Sequence, residues 1–270
     1  MMELLVLLLL GVLAGIVAGL FGLGGGILFT PILFIVFSDA GIENPVVLTI
    51  GSSLFCTFIA AFGSSLRQYQ QKNFYWSEGI TIGLMGAGGV YLGKLVITSP
   101  YYSQQEFVIF FSLLLLYVAY MFYRRGARNQ KEIDQNDTPI TLTQSFATGG
   151  LGGFVAALAG IGGGGVMVPL MNLIFKKRFA RAVSISSLAI VLISLSGWVQ
   201  LGLTENGIGT LTEFHWGYVD FGAAFPLAVG GLAGGFVGAL FNLKINRRYL
   251  QYAFSVLAIA MAVKLIVEVF

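Results

Sequence analysis

Charged residues are unusually scarce in this chain of 270 residues. Lysine and arginine together number 15, aspartate and glutamate 12, and charged side chains make up 10% of the sequence, against about a quarter in a typical soluble domain. Hydrophobic residues account for 57%. Such a chain cannot cover itself with a water-compatible surface, and a net charge of +3 spread over short loops does not indicate nucleic acid as a partner. The composition therefore predicts an integral, multi-pass membrane protein surrounded by lipid.

The residues that commonly do chemistry are also nearly absent. Cys56 is the only cysteine and His215 the only histidine, so neither a disulfide within the chain nor a histidine-rich metal site can form. Six ionisable residues lie near the ends of predicted helices, where we expect them to reach water: Arg67, Glu78, Lys94, Asp220, Lys264 and Glu268. With no carboxylate or histidine at mid-depth, the usual proton relay is missing. The sequence predicts a protein that is not an enzyme and needs no metal or cofactor.

A glycine-rich stretch occurs twice, in matching form. Residues 15–37 read GIVAGLFGLGGGILFTPILFIVF, and residues 153–175 read GFVAALAGIGGGGVMVPLMNLIF. Each is an apolar run, a glycine break and a shorter apolar run. The matched positions are Gly22, Gly24, Gly25, Gly26 and Pro31 in the first copy and Gly160, Gly162, Gly163, Gly164 and Pro169 in the second. Paired, interrupted hydrophobic segments of this kind indicate the binding site of a secondary transporter.

The chain divides into two sets of five apolar segments. A polar linker at 124–140 separates an N-terminal membrane repeat, 1–123, from a C-terminal repeat, 141–270. The segments are 2–21, 27–37, 46–66, 77–97 and 105–123, then 141–159, 165–175, 180–203, 217–242 and 249–269. Because about 20 residues are needed to span a bilayer, the second and seventh segments are too short to cross unaided. We predict an all-α polytopic fold with half-helices or re-entrant segments at the glycine motifs.

The distribution of basic residues predicts the topology. Thirteen of the 15 lysines and arginines fall in four groups: Arg67 and Lys72; Arg124, Arg125, Arg128 and Lys131; Lys176, Lys177, Arg178 and Arg181; Lys244, Arg247 and Arg248. Loops rich in basic residues stay in the cytoplasm. Threading the segments through these loops makes the first half begin outside and end inside, while the second half does the reverse. The two halves are therefore predicted to be inverted-topology repeats.

The glycine breaks are candidate anion sites. Consecutive glycines make a poor helix interior, and a break inside the membrane leaves backbone N–H groups beside the positive end of the following half-helix. Such groups bind anions. A tight crossing of two helices is the alternative explanation for the glycines. Other glycines recur at spacings of four within helices and predict close helix packing: Gly11, Gly15, Gly19, Gly79, Gly83, Gly89, Gly93, Gly230, Gly231, Gly234, Gly235 and Gly238.

Four serines occupy matching places in the two halves and could complete the anion site: Ser52, Ser53, Ser186 and Ser187. Hydroxyls within a span also commonly bond the preceding helical turn, so both roles stay open. Weaker candidates are Thr30, Thr49, Asn172 and Ser184. Pro31 and Pro169 lie within the short arms, where proline can kink a helix or end its hydrogen-bond ladder.

The duplicated GLGGG…P and GIGGGG…P segments, the paired SSL triplets and the Trp-led helices after Phe74-Tyr75 and Phe214-His215 resemble the TauE/SafE family of sulfite-exporter-like anion permeases. The resemblance covers nearly the whole chain. It implies a transporter of sulfite, organosulfonates or related sulfur-containing anions in a prokaryotic inner membrane. We predict export by alternating access, with the anion held by glycine-loop amides at the midplane. An anion channel and a membrane-embedded chaperone or assembly factor are the alternatives.

Overall fold

α-Helices make up most of the described chain. The structure is a computed structural model, and it describes residues 2–21, 26–70, 75–127, 138–205, 209–242 and 247–269. The helices are α1 (Met2–Phe21), α2 (Gly26–Asp39), α3 (Val46–Gln70), α4 (Trp76–Ile97), α5 (Gln104–Ala127), α6 (Leu142–Ala159), α7 (Gly164–Pro169), α8 (Phe179–Gly202), α9 (Phe221–Asn242) and α10 (Arg247–Val269). A π-helical turn, Leu170–Ile174, follows α7, and two short strands, β1 (His215–Trp216) and β2 (Val219–Asp220), precede α9.

Helix lengths confirm the prediction of an all-α, multi-pass membrane protein. Within the described residues, five helices are long and apolar enough to cross a bilayer: α3, α4, α5, α8 and α10. The two arms that follow the glycine motifs are short, with 14 residues in α2 and 6 in α7. At 1.5 Å per residue, α2 is only about 21 Å long, less than the roughly 30 Å of a hydrocarbon core. The short arms therefore occur where the sequence places them.

The two prolines of the short arms have different surroundings. Pro31 lies inside α2, which is helical on both sides of it. Pro169 ends α7, and the chain continues as the π-helical turn, in which the N–H of Phe175 donates to the carbonyl of Leu170 at 3.2 Å. Proline has no N–H to continue the α-helical ladder, so the change of helix type at this point has a direct cause.

The start of the predicted segment 217–242 is a correction to the sequence analysis. The first four of these residues form the turn and second strand of an antiparallel hairpin, in which β1 pairs with β2, and α9 begins only at Phe221. Alternating small ladders of this length leave no clear hydrophobic period in the sequence, since each strand has two residues. The hairpin covers the end of α8, where the N–H of Tyr218 donates to the carbonyl of Leu201.

Asp220 does not reach water, contrary to our expectation. It is fully buried and caps α9, because its carboxylate accepts hydrogen bonds from the N–H groups of Thr212 and Ala223 at 2.9 and 3.0 Å. The hydroxyl of Thr212 donates to it as well. The N–H of Asp220 donates to the Ser52 hydroxyl oxygen of α3 at 3.0 Å. A buried carboxylate with these donors is a structural cap that fastens the hairpin to α3.

Glu78 is likewise withdrawn from water. Its carboxylate lies 2.8 Å from the guanidinium of Arg181, and only 13% and 8% of the two side chains are exposed. The carboxylate also accepts from the N–H of Ile140, and the guanidinium lies over the ring of Tyr75, 4.5 Å from its centroid. The pair therefore joins α4, α8 and the chain just before α6. Sequence reasoning missed it because both residues lie at helix ends, far apart in the chain.

Glycine packing holds several helices together, as the four-residue spacings predicted. A Cβ on Gly15 of α1 would lie 2.2 Å from the carbonyl oxygen of Gly231 in α9, and one on Gly89 of α4 would lie 2.2 Å from that of Gly150 in α6. Gly79 and Gly83 of α4 face leucines of α8 in the same way. The backbones are close enough that no side chain fits between them, which is how small residues stabilise helix contacts in lipid.

The residue contacts between helices also define their relative directions. α1, α3 and α9 run one way and α4, α6 and α8 the other, while α5 and α10 are antiparallel. The contacts are Gly11–Leu227 and Gly15–Gly231; Ser52–Asp220 and Cys56–Ala224; Gly86–Gly153 and Gly93–Ala157; Gly79–Leu188 and Gly83–Leu192; Ser112–Ala262 and Ala119–Ser255. Between α3 and α8, Leu54 faces Gly197, while Thr57 and Ile190 both face Gly162. Four helices of the first half thus run opposite to their counterparts in the second: α1 to α6, α3 to α8, α4 to α9 and α5 to α10.

A glycine-to-alanine pair in α6 tests this packing. A Cβ on Gly153 would lie 1.9 Å from the carbonyl oxygen of Gly86, whereas one on Gly150 would meet nothing within 4 Å. We expect Gly153→Ala to lower the free energy of unfolding by about 1–3 kcal/mol through overpacking. Gly150→Ala, the matched control, should leave it unchanged or raise it. Thermal unfolding of the purified protein in detergent measures both, and equal effects of the two substitutions would contradict the packing.

Candidate substrate-binding site

The second glycine motif forms a compact break between α6 and α7. Gly160 ends α6 with φ +71°, and its N–H donates to the carbonyl of Ala156 at 2.8 Å. Gly162 and Gly163 also have positive φ, of +69° and +79°, and Gly163 is the N-cap of α7. Three left-handed residues within four positions are accessible to glycine and costly for other residues. The glycine run is therefore required by the backbone conformation itself.

The break lies level with the middle of two long helices. A Cβ on Gly162 would lie 2.7 Å from both the Thr57 methyl group of α3 and the Ile190 side chain of α8. Thr57 is near the midpoint of Val46–Gln70, and Ile190 is near that of Phe179–Gly202. Since α3 and α8 are both long enough to span a bilayer, Gly162 lies about halfway along two membrane-crossing helices.

Residues of the first glycine motif meet this break. Gly22, Gly24 and Gly25 lie outside the described residues, but Gly26 begins α2, and a Cβ on it would lie 2.7 Å from the carbonyl oxygen of Ile161. The structure therefore brings the start of one short arm against the glycine loop that precedes the other.

A buried chain of hydroxyls links the two halves at the same place. Ser53 of α3 donates to the carbonyl oxygen of Gly160 at 2.9 Å, and its oxygen lies 2.7 Å from the Thr30 hydroxyl of α2. The Thr30 hydroxyl in turn lies 3.2 Å from the carbonyl oxygen of Gly26. Both side chains are fully buried. Ser53 thus stabilises the end of α6, whose last carbonyl groups have no partner within the helix.

Several backbone N–H groups at the break have no acceptor among the described residues. They belong to the buried stretch Gly162–Gly165, while the next two N–H groups, of Val166 and Met167, both point to the carbonyl of Gly163. Buried N–H groups without partners are rare in folded proteins. Grouped at the start of a helix, they form a site that favours negative charge.

The four predicted serines do not share one environment. Ser53 lies at the break, but Ser52 accepts from the N–H of Asp220 in the hairpin. Ser186 and Ser187 donate to carbonyls of their own helix, those of Val183 and Ser184, at 3.0 and 2.8 Å. The structure therefore brings one of the four to the glycine loop, while the hydroxyl groups of the other three have structural partners elsewhere. Their role as substrate donors stays a prediction.

Thr57 is a residue at the break that the sequence analysis missed. Its side chain is 1% exposed, and its hydroxyl has no hydrogen-bond partner in the described part of the chain. The hydroxyl oxygen would lie 2.7 Å from a Cβ on Gly26, so it is at the meeting point of the two glycine motifs. Candidates were sought at positions matched in both halves, and the alignment of Ser52 and Ser53 with the second-half serines gives Thr57 the counterpart Val191. Symmetry could not have selected it.

Tyr102 closes the other side of the end of α6. It lies between α4 and α5, and its hydroxyl donates to the carbonyl of Leu158 at 3.0 Å. Burial, with a smaller contribution from the charge of Glu106, raises the pKa of the Tyr102 phenol. The hydroxyl therefore remains protonated and able to donate at all physiological pH values.

An apolar cleft of about 430 Å³ lies beside the start of α7, between α5 and the π-helical turn. It is lined by Val118, Met121, Phe122, Gly164, Gly165, Val168, Pro169, Asn172 and Phe179. The amide of Asn172 is occupied, since its Nδ2 donates to the carbonyl of Lys177 at 2.8 Å. The cleft consequently offers apolar surface and little polar recognition.

Buried cations do not supply the positive charge at the break. Two basic residues are buried in the part of the chain that the structure describes, Lys177 and Arg181. The Lys177 ammonium donates to the carbonyl and hydroxyl of Thr138 and to the carbonyl of Pro139, and Arg181 pairs with Glu78. Both side chains are committed to holding the chain before α6. Positive potential at the glycine loop comes from backbone N–H groups.

Comparison with known proteins agrees with this architecture. Residues 7–265 match the family described as Sulfite exporter TauE/SafE. The chain belongs to the TauE/SafE family. It is 32% identical to a probable membrane transporter protein of Methanocaldococcus jannaschii over 92% of this chain and 90% of the relative. It is 30% identical to one from Xylella fastidiosa, over 95% of this chain and 92% of the relative, and 27% identical to one from Bacillus subtilis, over 99% and 98%.

Family membership and the apolar helices together identify an integral, multi-pass membrane transporter. The relatives come from bacteria and archaea. The resemblance inferred from the glycine motifs is thereby confirmed, and the same motifs form the break at which α2, α3, α6 and α8 meet.

The Ser53 hydrogen bonds generate a stability prediction. Ser53→Ala removes the donor to the Gly160 carbonyl and one partner of Thr30. Leaving buried polar groups unsatisfied costs about 1–3 kcal/mol, so we expect a clear drop in thermal stability. Ser187→Ala is the matched control, because that hydroxyl donates only to its own helix and its loss should be smaller. Equal losses in both variants would contradict a special role for Ser53.

Proposed function

We propose that this protein exports small sulfur-containing oxyanions, such as sulfite or an organosulfonate, across the cell membrane by alternating access. The observation that carries the proposal is the group of buried, unpartnered N–H groups at Gly162–Gly165, halfway along α3 and α8. The family to which the chain belongs supports the substrate class.

The site we propose is built from the two glycine segments. Gly22, Gly24, Gly25 and Gly26 from one half and Gly160, Gly162, Gly163 and Gly164 from the other surround the anion, and backbone N–H groups donate to its oxygens. Ser52, Ser53, Ser186 and Ser187 complete the shell. The N-termini of α2 and α7 each contribute a partial charge of about +0.5. Such a site suits an anion that can accept several hydrogen bonds and tolerates variation in the group attached to sulfur.

The membrane potential provides the driving force in this scheme. Moving one negative charge from a negative interior to the outside gains about 2.3 kcal/mol per 100 mV. Export therefore needs no coupled ion, in keeping with a sequence that lacks an intramembrane proton relay.

Inverted repeats supply the structural basis for alternating access. Four helix pairs with opposite directions in the two halves support this architecture, and the basic loops support a cytoplasmic linker. In transporters of this kind the substrate site lies at the interface between the repeats, which is where the two glycine segments meet.

Cysteine labelling tests the topology. In a Cys56→Ala background, Glu43→Cys, in the exposed loop between α2 and α3, should react with a membrane-impermeant maleimide added outside intact cells. Asp134→Cys, in the linker, should react only after the membrane is permeabilised. Labelling of both residues from the same side would overturn the inverted-repeat arrangement.

Flux in proteoliposomes tests the function. We expect the wild-type protein to move labelled sulfite, with a rate that rises as a potassium diffusion potential makes the sulfite-containing side more negative. No flux of sulfite, sulfoacetate, thiosulfate or sulfate would favour an assembly factor. Electrodiffusive currents far above transporter turnover would favour an anion channel.

An arginine variant tests whether a side-chain cation anchors the anion. Arg67 is exposed near the end of α3, so Arg67→Gln should change flux mainly at low ionic strength, where long-range attraction is unscreened. Loss of flux at all salt concentrations, in a protein that still purifies as a folded species, would contradict recognition by backbone N–H groups.

A further inference from the structure

We infer that the Thr57 hydroxyl binds the transported anion directly and is a specificity-determining side chain of the glycine-loop site. The inference rests on the proposed function and adds to it a residue that the duplicated motifs do not contain. It depends on three properties of Thr57: its burial, the lack of a partner for its hydroxyl and its position between the two glycine segments.

The first step concerns the unused hydroxyl. Thr57 is 1% exposed, and no described residue bonds its Oγ1. Other hydroxyls at the same depth have partners, since Ser53 donates to Gly160 and lies against Thr30. Leaving one buried hydroxyl unpaired is costly unless something else satisfies it. A ligand present only during transport would do so.

The second step concerns position. The side chain of Thr57 lies against Gly26, the start of α2, through its oxygen, and against Gly162 of the loop before α7 through its methyl group. It is therefore flanked by the beginning of one short arm and by the stretch Gly162–Gly165, whose N–H groups have no described acceptor. A hydroxyl and several N–H groups are all donors, so their common ligand is an acceptor with negative charge.

The third step concerns asymmetry. Val191 occupies the place in α8 that matches Thr57 in α3. The valine side chain has the same shape as threonine but cannot donate a hydrogen bond. The first half thus supplies one side-chain donor that the second half lacks, and the anion is held off-centre, closer to α3 than to α8.

Thr57→Val is the direct test because it keeps the shape and removes the hydroxyl. We expect it to weaken binding of potassium sulfite and potassium methanesulfonate by roughly tenfold or more, as measured by anion-induced thermal stabilisation, since hydrogen bonds to charged groups are among the stronger ones. The anion-free variant should melt at the same temperature as the wild type or higher, because an unsatisfied buried hydroxyl has been removed. Thr57→Ser should retain most of the affinity.

Thr148→Val is the matched control. The Thr148 hydroxyl of α6 is also buried without a described partner, but it lies 12 residues before Gly160, about 18 Å along the helix. This substitution should match Thr57→Val in its effect on melting temperature and leave anion affinity unchanged.

The possible contrary results are distinct. Wild-type affinity in Thr57→Val would overturn the inference while leaving the proposed function intact, and a lower melting temperature of the anion-free variant would assign the hydroxyl a structural role instead. An effect that appears only as altered sodium dependence, with potassium-salt affinities unchanged, would assign it to a cation and overturn the inference. Failure of the wild type to bind any of these anions would overturn the proposed function, and the role of Thr57 with it.

Discussion

The fold depends on the need to satisfy backbone polar groups wherever a helix is interrupted inside a membrane. Lipid offers no hydrogen bonds, so every carbonyl and N–H group released by a break must find a partner within the protein. At the end of α6 the carbonyl groups do: Gly160 accepts from Ser53 and Leu158 accepts from Tyr102. The N–H groups that follow, in Gly162–Gly165, have no described acceptor. This imbalance between satisfied carbonyls and unsatisfied N–H groups gives the break its preference for negative charge.

Close backbone contact makes the break possible. The carbonyl partners come from α3 and from the α4–α5 connection, so both must lie beside α6. Gly86 and Gly89 bring α4 against α6, with carbonyl oxygens in the space that a side chain would occupy. In a bilayer, where burial of apolar surface provides little driving force between helices, van der Waals contact of this kind is the main source of association. Glycine therefore serves two purposes in the chain: in the helices it allows approach, and in the breaks it allows left-handed conformation.

Much of the architecture was predictable because it depends on local properties. Segment length, glycine spacing and the duplicated motif gave helix positions, the packing faces of α1, α4 and α9, and the two short arms. Features that depend on distant residues were not predictable. Asp220 and Glu78 looked like exposed residues at helix ends, and their partners Thr212 and Arg181 become visible only in the folded chain. Thr57 was missed for a different reason, since a search for symmetric pairs excludes a residue that has no equivalent in the other half.

The packing also limits how the molecule can move. The close pairs α1–α9 and α4–α6 each combine a helix from the first half with one from the second, so the halves interlock along the chain's own symmetry. Carbonyl oxygens in these pairs lie within the space of a missing Cβ, for example Gly231 beside Gly15 and Gly86 beside Gly153, and such contacts do not slide without collision. Conformational change in a transporter of this construction must therefore occur between interlocked pairs rather than between the N-terminal and C-terminal halves. The short arms α2 and α7, which end in the glycine segments, then lie at the boundary where those pairs meet.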